Sequence, residues 1–169
     1  MASVPGPIDR IFEQAMIPVD SGGPLRISDV IRAKGNAVVT VKPDIDVRTL
    51  LGVLAEYGIG AVVVSTDGTS VSGIVSERDV VRALAERGAT VISEPVSEIM
   101  TSEVQTCTPD TPVVELMSVM THGRFRHVPV VIQDRLIGIV SIGDIVKNRV
   151  GELEIERDSL TSYITSATT

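Results

Sequence analysis

The spacing of apolar residues divides the chain into short helices and strands. Apolar residues recur at intervals of three and four along one stretch, which predicts a helix with one buried face: Val47, Leu50, Leu51 and Leu54. The nearly all-apolar run that follows has the length of a buried strand, and a turn then leads to a second strand and a second helix. The pattern therefore predicts four successive elements: 46–57, 61–65, 70–75 and 77–87.

Two further elements precede these four. A helix is expected to begin near Ser28, with Asp29 in its first turn, and to end at Gly35, because serine caps helix starts and glycine commonly follows helix ends. A strand over 38–41 follows and is stopped by Pro43. The first half of the chain therefore consists of helix, strand, helix, strand, strand and helix.

The same order of elements then begins again, so the chain contains an internal duplication. Residues 106–110 (Thr-Cys-Thr-Pro-Asp) match residues 40–44 (Thr-Val-Lys-Pro-Asp), which lie 66 positions earlier. The apolar stripe of the helix is also repeated, at Val113, Leu116, Met117 and Met120. One copy has too few apolar positions to close a core alone, so the two copies are expected to pack sheet to sheet in one α/β domain.

Two segments lie outside the duplication. Residues 1–26 contain four prolines and are expected to form an extension that packs loosely on the main body. The tail has an acidic face and an apolar face, which predicts a helix lying either against a second subunit or against its own domain: Val150, Leu153, Leu160 and Ile164. The predicted bounds are 1–26 for the extension, 27–90 and 91–149 for the copies, and 150–169 for the tail.

The composition limits the class of protein. Hydrophobic residues make up 43% of the chain and charged residues 22%, which is typical of a globular protein. No apolar run approaches the ~20 residues of a membrane span, and the first ten residues show no secretory signal. The single cysteine, Cys107, permits no disulfide within the chain. A cytoplasmic protein with no membrane segment is therefore expected.

The charge balance argues against nucleic acid as a partner. The net charge is −7 and the sequence pI is about 4.8, whereas nucleic-acid binding depends largely on a basic surface that neutralises phosphates. Aromatic residues are only 2% of the chain, so surfaces on which bases could stack are scarce.

Each copy ends in the same motif, a short apolar run that finishes at a serine, with an aspartate three residues later. These residues are Ser76 and Asp79 in the first copy and Ser141 and Asp144 in the second. One interpretation is a capping box, in which both side chains satisfy N–H groups of a helix start. The other is a nucleotide clamp, in which the helix N-terminus and serine bind phosphate and the carboxylate accepts hydrogen bonds from a ribose diol. Duplication alone does not distinguish them.

The two copies differ in charge beside this motif. Residues 124–127 are Arg-Phe-Arg-His, whereas the matching residues 58–61 are Gly-Ile-Gly-Ala. The basic side chains would neutralise the phosphates of an anionic ligand, or would remain solvated or pair with acidic residues. Arg78 precedes Asp79 and would reach a phosphate, whereas Gly143 in the second copy leaves room for a bulkier ligand. Two non-identical sites are therefore expected.

Other recognisable chemistry is absent from the sequence. There is no glycine-rich phosphate loop ending in Gly-Lys-Ser/Thr, and Cys107, His122 and His127 do not form a zinc-binding spacing. No Ser/His/Asp set stands out. Neither catalysis nor a metal site is therefore expected.

The duplicated unit resembles a pair of CBS domains, the Bateman module. The resemblance is carried by Thr-x-x-Pro-Asp after the first strand, by residues 127–130 (His-Val-Pro-Val), and by Gly-Ile-Val-Ser-x-x-Asp at the end of both copies. It covers about 27–149. It implies two β-α-β-β-α repeats that pack through their sheets with pseudo-two-fold symmetry and form two related clefts for adenosine-containing ligands.

The resemblance also implies roles for individual residues. The two motif aspartates would hold ribose hydroxyls, the two motif serines would contact phosphate, and Thr40 and Thr106 would line the nucleotide pockets. With the basic residues added, the candidate ligand-binding residues are Thr40, Ser76, Arg78, Asp79, Thr106, Arg126, His127, Ser141 and Asp144.

The function that the resemblance implies is regulatory rather than catalytic. The expected ligand is AMP, ADP, ATP or NAD(H), and the basic residues favour these over S-adenosylmethionine. Occupancy would be signalled through conformation or association, with a homodimer and a separate target protein as expected partners. The alternative is a structural or interaction module that binds no ligand and whose Ser-x-x-Asp motifs are only helix caps.

Overall fold

The computed structural model describes residues 23–35 and 37–166, apart from the side chains of residues 161, 162 and 164–166. The predicted extension over 1–26 therefore lies almost entirely outside the described residues. In chain order the elements are α1 (Ile27–Lys34), β1 (Thr40–Val41), α2 (Val47–Tyr57), β2 (Ala61–Val64), β3 (Gly73–Ser76), α3 (Glu77–Arg87), α4 (Val113–Gly123), β4 (His127–Ile132), β5 (Arg135–Ser141) and α5 (Ile142–Ser166). Two short 3-10 helices, Gly88–Ser93 and Val96–Glu98, lie between α3 and α4. The prediction of a mixed α/β chain is confirmed.

The elements divide between two compact units. The sheet unit consists of residues 36–108 and 128–139, and the helical unit consists of residues up to 35, residues 109–127 and residues from 140 onward. This division does not follow the duplication, because α1 is the first element of the first copy but belongs to the helical unit. The bounds 27–90 and 91–149 remain a prediction about the repeat.

A three-stranded sheet forms the centre of the sheet unit. β2 lies in the middle, parallel to β1 and antiparallel to β3. All four residues of β2 are buried, as expected for a continuous apolar run. Leu50 and Leu54 of α2 join Val62, Val64 and Val75 of the strands in one apolar core. Three of the four residues of the predicted stripe therefore form the buried face of α2, namely Val47, Leu50 and Leu54, whereas Leu51 lies outside it.

In the described part of the helical unit there are three helices, α1, α4 and α5. Both α1 and α4 pack against α5. Each helix contributes buried apolar residues: Ile27, Val30 and Ile31 from α1, Met120 from α4 and Ile145 from α5. α5 is continuous over 25 residues. The last helix of the second copy therefore runs into the predicted tail without a break.

Backbone hydrogen bonds join the first segment of each copy to the Pro-Asp loop of the other copy. In the helical unit the N–H of Ser28 donates to the carbonyl of Pro109 over 2.9 Å. In the sheet unit the N–H of Ser97 donates to the carbonyl of Pro43 over 3.0 Å. Because the two loops are matching parts of the duplication, the segments have exchanged partners. α1, the first element of the first copy, pairs with the second copy.

The second copy has a less regular first strand than the first copy. Pro129 stands in β4 where β2 has Val63, the residue that pairs with Thr40. Proline has no N–H, so it cannot donate the ladder bond that a strand pair at this position requires. The first strand of the second copy is therefore reduced to a single bridge between Cys107 and Val130.

The first helix of the second copy is also shortened. Val96–Glu98 is a single 3-10 turn instead of a helix matching α1. The chain then pairs with β3, where Thr101 and Ile74 exchange two backbone hydrogen bonds of 2.9 Å. This pairing replaces continuation of the helix.

The neighbouring leucines of α2 provide a test of the sheet-unit core. Leu50 is fully buried, whereas Leu51 is 37% exposed. We expect Leu50→Ala to lower the free energy of unfolding by about 2–5 kcal/mol, because it leaves a cavity, and Leu51→Ala to lower it by less than about 1 kcal/mol. Urea unfolding of both variants measures the difference, and equal losses would contradict the placement of this helix.

Candidate functional site

Each copy presents its serine and aspartate where a strand passes directly into a helix. The two junctions are β3 to α3 and β5 to α5. At each junction the first N–H of the helix donates to the carbonyl of the residue just before the second strand of the same copy. In the first copy Glu77 donates to Gly60 over 3.0 Å, and in the second copy Ile142 donates to Arg126 over 2.8 Å. This bond holds the helix start against the strand and brings residue 60 or 126 beside the motif.

In the first copy the junction is a cap formed by Ser76 and Asp79. Asp79 Oδ2 accepts hydrogen bonds from the Ser76 N–H over 2.8 Å and from the Ser76 hydroxyl over 2.7 Å. The carboxylate thus satisfies a backbone donor that the helix itself leaves unpaired. Within the described part of the chain, Asp79 Oδ1 accepts no hydrogen bond.

The second copy has a reciprocal cap as well, like the capping box of Ser76 and Asp79. The Ser141 N–H donates to Asp144 Oδ2 over 2.8 Å, and the Asp144 N–H donates to Ser141 Oγ over 3.1 Å. This is the geometry of a capping box. As in the first copy, Oδ1 of the aspartate accepts no hydrogen bond from the described residues.

A lysine that sequence reasoning missed completes the second motif. Lys34, the last residue of α1, places Nζ 2.6 Å from Asp144 Oδ2. The duplication assigned α1 to the first copy, so no local pattern indicated this contact. Only the exchanged pairing of α1, which packs it against α5, brings the two residues together.

The ion pair affects the titration of Asp144. Burial would raise the pKa of this carboxyl, but hydrogen bonds from Lys34 and Ser141 lower it by more, so its pKa lies below its usual value. Asp144 is therefore a carboxylate at neutral pH.

Basic residues predicted for the second site lie beside the same junction. The carbonyl of Arg126 is bonded to the start of α5 and its side chain is exposed. His127 follows as the first, half-buried residue of β4. Arg124 ends α4 in the left-handed conformation with φ 55°, where the first copy has Gly58 at φ 61°. An arginine therefore occupies a backbone position that favours glycine.

The remaining candidate residues belong to the sheet unit. Thr40 lies in β1, which β2 separates from β3. Thr106 is exposed next to Cys107, and Arg78 is exposed in the first turn of α3. The sheet unit contains Thr40, Ser76, Arg78, Asp79 and Thr106, and the helical unit contains Arg126, His127, Ser141 and Asp144.

Hydrogen bonding and charge pairing are the chemistry that the two motifs offer. Among the described residues, no group of three or more His, Cys, Asp or Glu side chains could hold a metal ion. Cys107 is buried, which raises the pKa of its thiol to about 12, so it stays protonated. Every helix in residues 23–35 and 37–166 is too short or too polar to span a membrane.

The two copies match a known family. A family model for the CBS domain matches residues 27–86 and 96–151. The chain belongs to the CBS-domain family. These ranges contain both Ser-x-x-Asp motifs, so the resemblance seen in the sequence is confirmed.

Similar proteins include other CBS-domain proteins. The mitochondrial CBS domain-containing protein CBSX3 of Arabidopsis thaliana is 36% identical over 146 residues, which cover 82% of this chain and 71% of that protein. The crystal structure of the CBS-domain containing protein ATU1752 from Agrobacterium tumefaciens is 47% identical, with a TM-score of 0.71, and covers 74% of this chain and 99% of that one.

A third similar structure was solved with ligands. The CBS domain pair of protein MJ0100, in complex with 5-methylthioadenosine and S-adenosyl-L-methionine, is 25% identical with a TM-score of 0.65. The match covers 73% of this chain and 98% of the MJ0100 chain. The fold of this chain is therefore that of a CBS pair.

The contacts of Asp144 predict a loss of stability in acid. A carboxyl whose pKa is lower in the folded than in the unfolded chain stabilises the fold fully above its unfolded value of about 3.9. That stabilisation is lost as the pH falls through the folded value. We expect wild type to lose more unfolding free energy than Asp144→Asn between about pH 5 and about pH 2. Urea unfolding across this pH range measures the difference, with Asp158→Asn at an exposed aspartate as the control. Equal losses of unfolding free energy in wild type and in Asp144→Asn would contradict the expectation.

Proposed function

We propose that this chain is a regulatory module that binds an adenosine-containing ligand at its CBS copies and signals occupancy through conformation or association. The observation that carries the proposal is that each motif aspartate caps its helix through Oδ2. The other oxygen remains for hydroxyl donors such as those of a ribose. Capping and ligand binding are therefore compatible uses of one side chain.

The surroundings of the motifs support a phosphorylated ligand. A helix N-terminus favours an anion, and both motifs lie at such a start. Arg78 in the first copy and Arg126 in the second are exposed beside it. We therefore propose AMP, ADP, ATP or NAD(H) as the ligand class, ahead of S-adenosylmethionine. The adenosine compounds bound by the MJ0100 pair support the nucleoside part of this proposal.

The alternative is a module that binds no ligand. It is favoured by the complete capping contacts, which account for Ser76, Asp79, Ser141 and Asp144 without any ligand. The two functions differ in whether neutralising an aspartate changes ligand affinity or only stability.

We propose regulation rather than catalysis, because hydrogen bonding and charge pairing are sufficient for a sensor. A separate target protein and a cytoplasmic location remain predictions. The Arabidopsis relative is named as a mitochondrial protein.

We further propose that a second copy of the chain packs along α5. Four apolar side chains at spacings of four, three and seven residues form a seam that is 47% to 65% exposed: Val146, Val150, Leu153 and Leu160. Lys147 and Arg149 precede Glu154 and Glu156 on this helix. Antiparallel pairing of two such helices would place the basic half of each beside the acidic half of the other.

Ligand binding is expected to raise the unfolding temperature. A ligand at about 100 times its dissociation constant stabilises by about 2.7 kcal/mol, which shifts the midpoint by about 5–10 °C at this chain length. Thermal unfolding with AMP, ADP, ATP, NAD, NADH and S-adenosylmethionine measures the shift, and Asp79→Asn with Asp144→Asn should abolish it.

Asp46→Asn is the matched control for this experiment, because Asp46 caps α2 by accepting from the Thr49 N–H over 2.7 Å. It should lower stability only slightly, because an amide oxygen can still accept at the cap, and it should leave the ligand shift intact. No shift with any compound, in protein that mass spectrometry shows to be free of nucleotide, would favour the capping-only module.

The dimer proposal predicts that charge on the seam separates the subunits. Val150→Lys combined with Leu153→Lys should convert a dimer into a monomer of 18.0 kDa in light scattering. Ile155→Lys is the control, because Ile155 is 70% exposed on the same helix but lies off the seam. A wild-type monomer, or equal disruption by the control, would contradict the proposed interface.

A further inference from the structure

The two motifs differ in a cation supplied by the chain itself. Lys34 Nζ lies 2.6 Å from Asp144 Oδ2, and the side chains are 40% and 24% exposed. The pair joins the end of α1 to the start of α5 across 110 residues of sequence. Its partial exposure leaves room for a ligand to meet both groups.

No lysine among the described residues pairs with Asp79, the aspartate of the first motif. Among the described residues, Asp79 accepts hydrogen bonds from Ser76 and forms no ion pair. Counted from the matching starts at Ile27 and Val96, the position of Lys34 corresponds to Glu103, which is exposed and acidic. The charge at this point is therefore reversed between the two segments.

We propose that Lys34 determines the ligand specificity of the second copy by selecting phosphorylated adenosine compounds over uncharged or cationic ones. This inference rests on the proposed ligand-binding function and deepens it. A ribose diol that binds Asp144 can use Oδ1, so Lys34 keeps its place on Oδ2 beside the bound nucleoside.

The chemistry of the ligand then decides the outcome. A phosphate that reaches the ammonium gains a charge-assisted hydrogen bond, and the exposed Arg126 and the N-terminus of α5 add positive potential at the same junction. Uncharged adenosine gains nothing from these groups. The sulfonium of S-adenosylmethionine would face them with a like charge, which lowers affinity.

The experiment compares the affinities of the full-length protein for AMP and for adenosine. Asp79→Asn is used as the background so that binding reports the second copy, and Lys34→Gln and Lys34→Arg are added to it. Calorimetric titration should show that Lys34→Gln lowers the affinity for AMP about tenfold, which corresponds to about 1.4 kcal/mol of binding free energy. Adenosine affinity should change by less than about twofold, and Lys34→Arg should retain the preference for AMP. Unfolding midpoints of all variants check that they are folded.

The outcomes separate this inference from the function on which it rests. If AMP and adenosine bind but their affinity ratio is the same with Lys34 and with Lys34→Gln, the role of Lys34 is wrong and the sensor function stands. If wild type binds AMP but the Asp79→Asn background does not, the second copy is not a site and the inference is overturned while the first copy remains a sensor. If wild type binds neither compound, nor any other ligand of the thermal panel, both are overturned.

Discussion

Unpaired N–H groups at the start of α1 determine how the helical unit is assembled. A helix cannot satisfy its own first donors, and buried backbone donors need partners. α1 finds them in the loop of the second copy, where Ser28 donates to Pro109 over 2.9 Å. Once these bonds hold its start, α1 packs along α5 and its last residue, Lys34, reaches Asp144. The electrostatics of one motif therefore depend on backbone bonds made a full helix length away.

The strand-to-helix junction solves the same problem in a different way. Here the donors are satisfied by the Ser-x-x-Asp side chains, and the solution is retained in both copies. The copies differ in the residue whose carbonyl accepts the first N–H of the helix, which is Gly60 in the first copy and Arg126 in the second. The duplication has thus kept the scaffold of the motif and changed the charge beside it.

Much of this fold could be predicted from periodicity. The helix over 77–87 lies at its predicted bounds and α2 lies within one residue of them, because each shows a stripe of apolar residues between clear start and stop signals. The duplication also located both motifs. Pro129 was visible in the sequence, and its missing N–H is sufficient to explain why the second copy lacks a regular first strand.

The exchanged position of α1 could not be predicted in the same way. Hydrogen bonds between segments about 80 residues apart leave no local pattern, and the repeat gives no sign that α1 packs with the second copy. Lys34 was missed for that reason alone. The signal for this contact lies in donors and acceptors of one copy that match those of the other copy, rather than those of the same copy.

The burial of Cys107 has a consequence for how the protein responds to oxidants. Its backbone lies in the bridge to β4, and its thiol stays protonated because burial raises its pKa to about 12. Oxidation and disulfide exchange require an accessible thiolate. Since this is the only cysteine in the chain, the protein contains no reactive thiol when folded. Direct oxidation of this thiol therefore requires the bridge between Cys107 and β4 to open first.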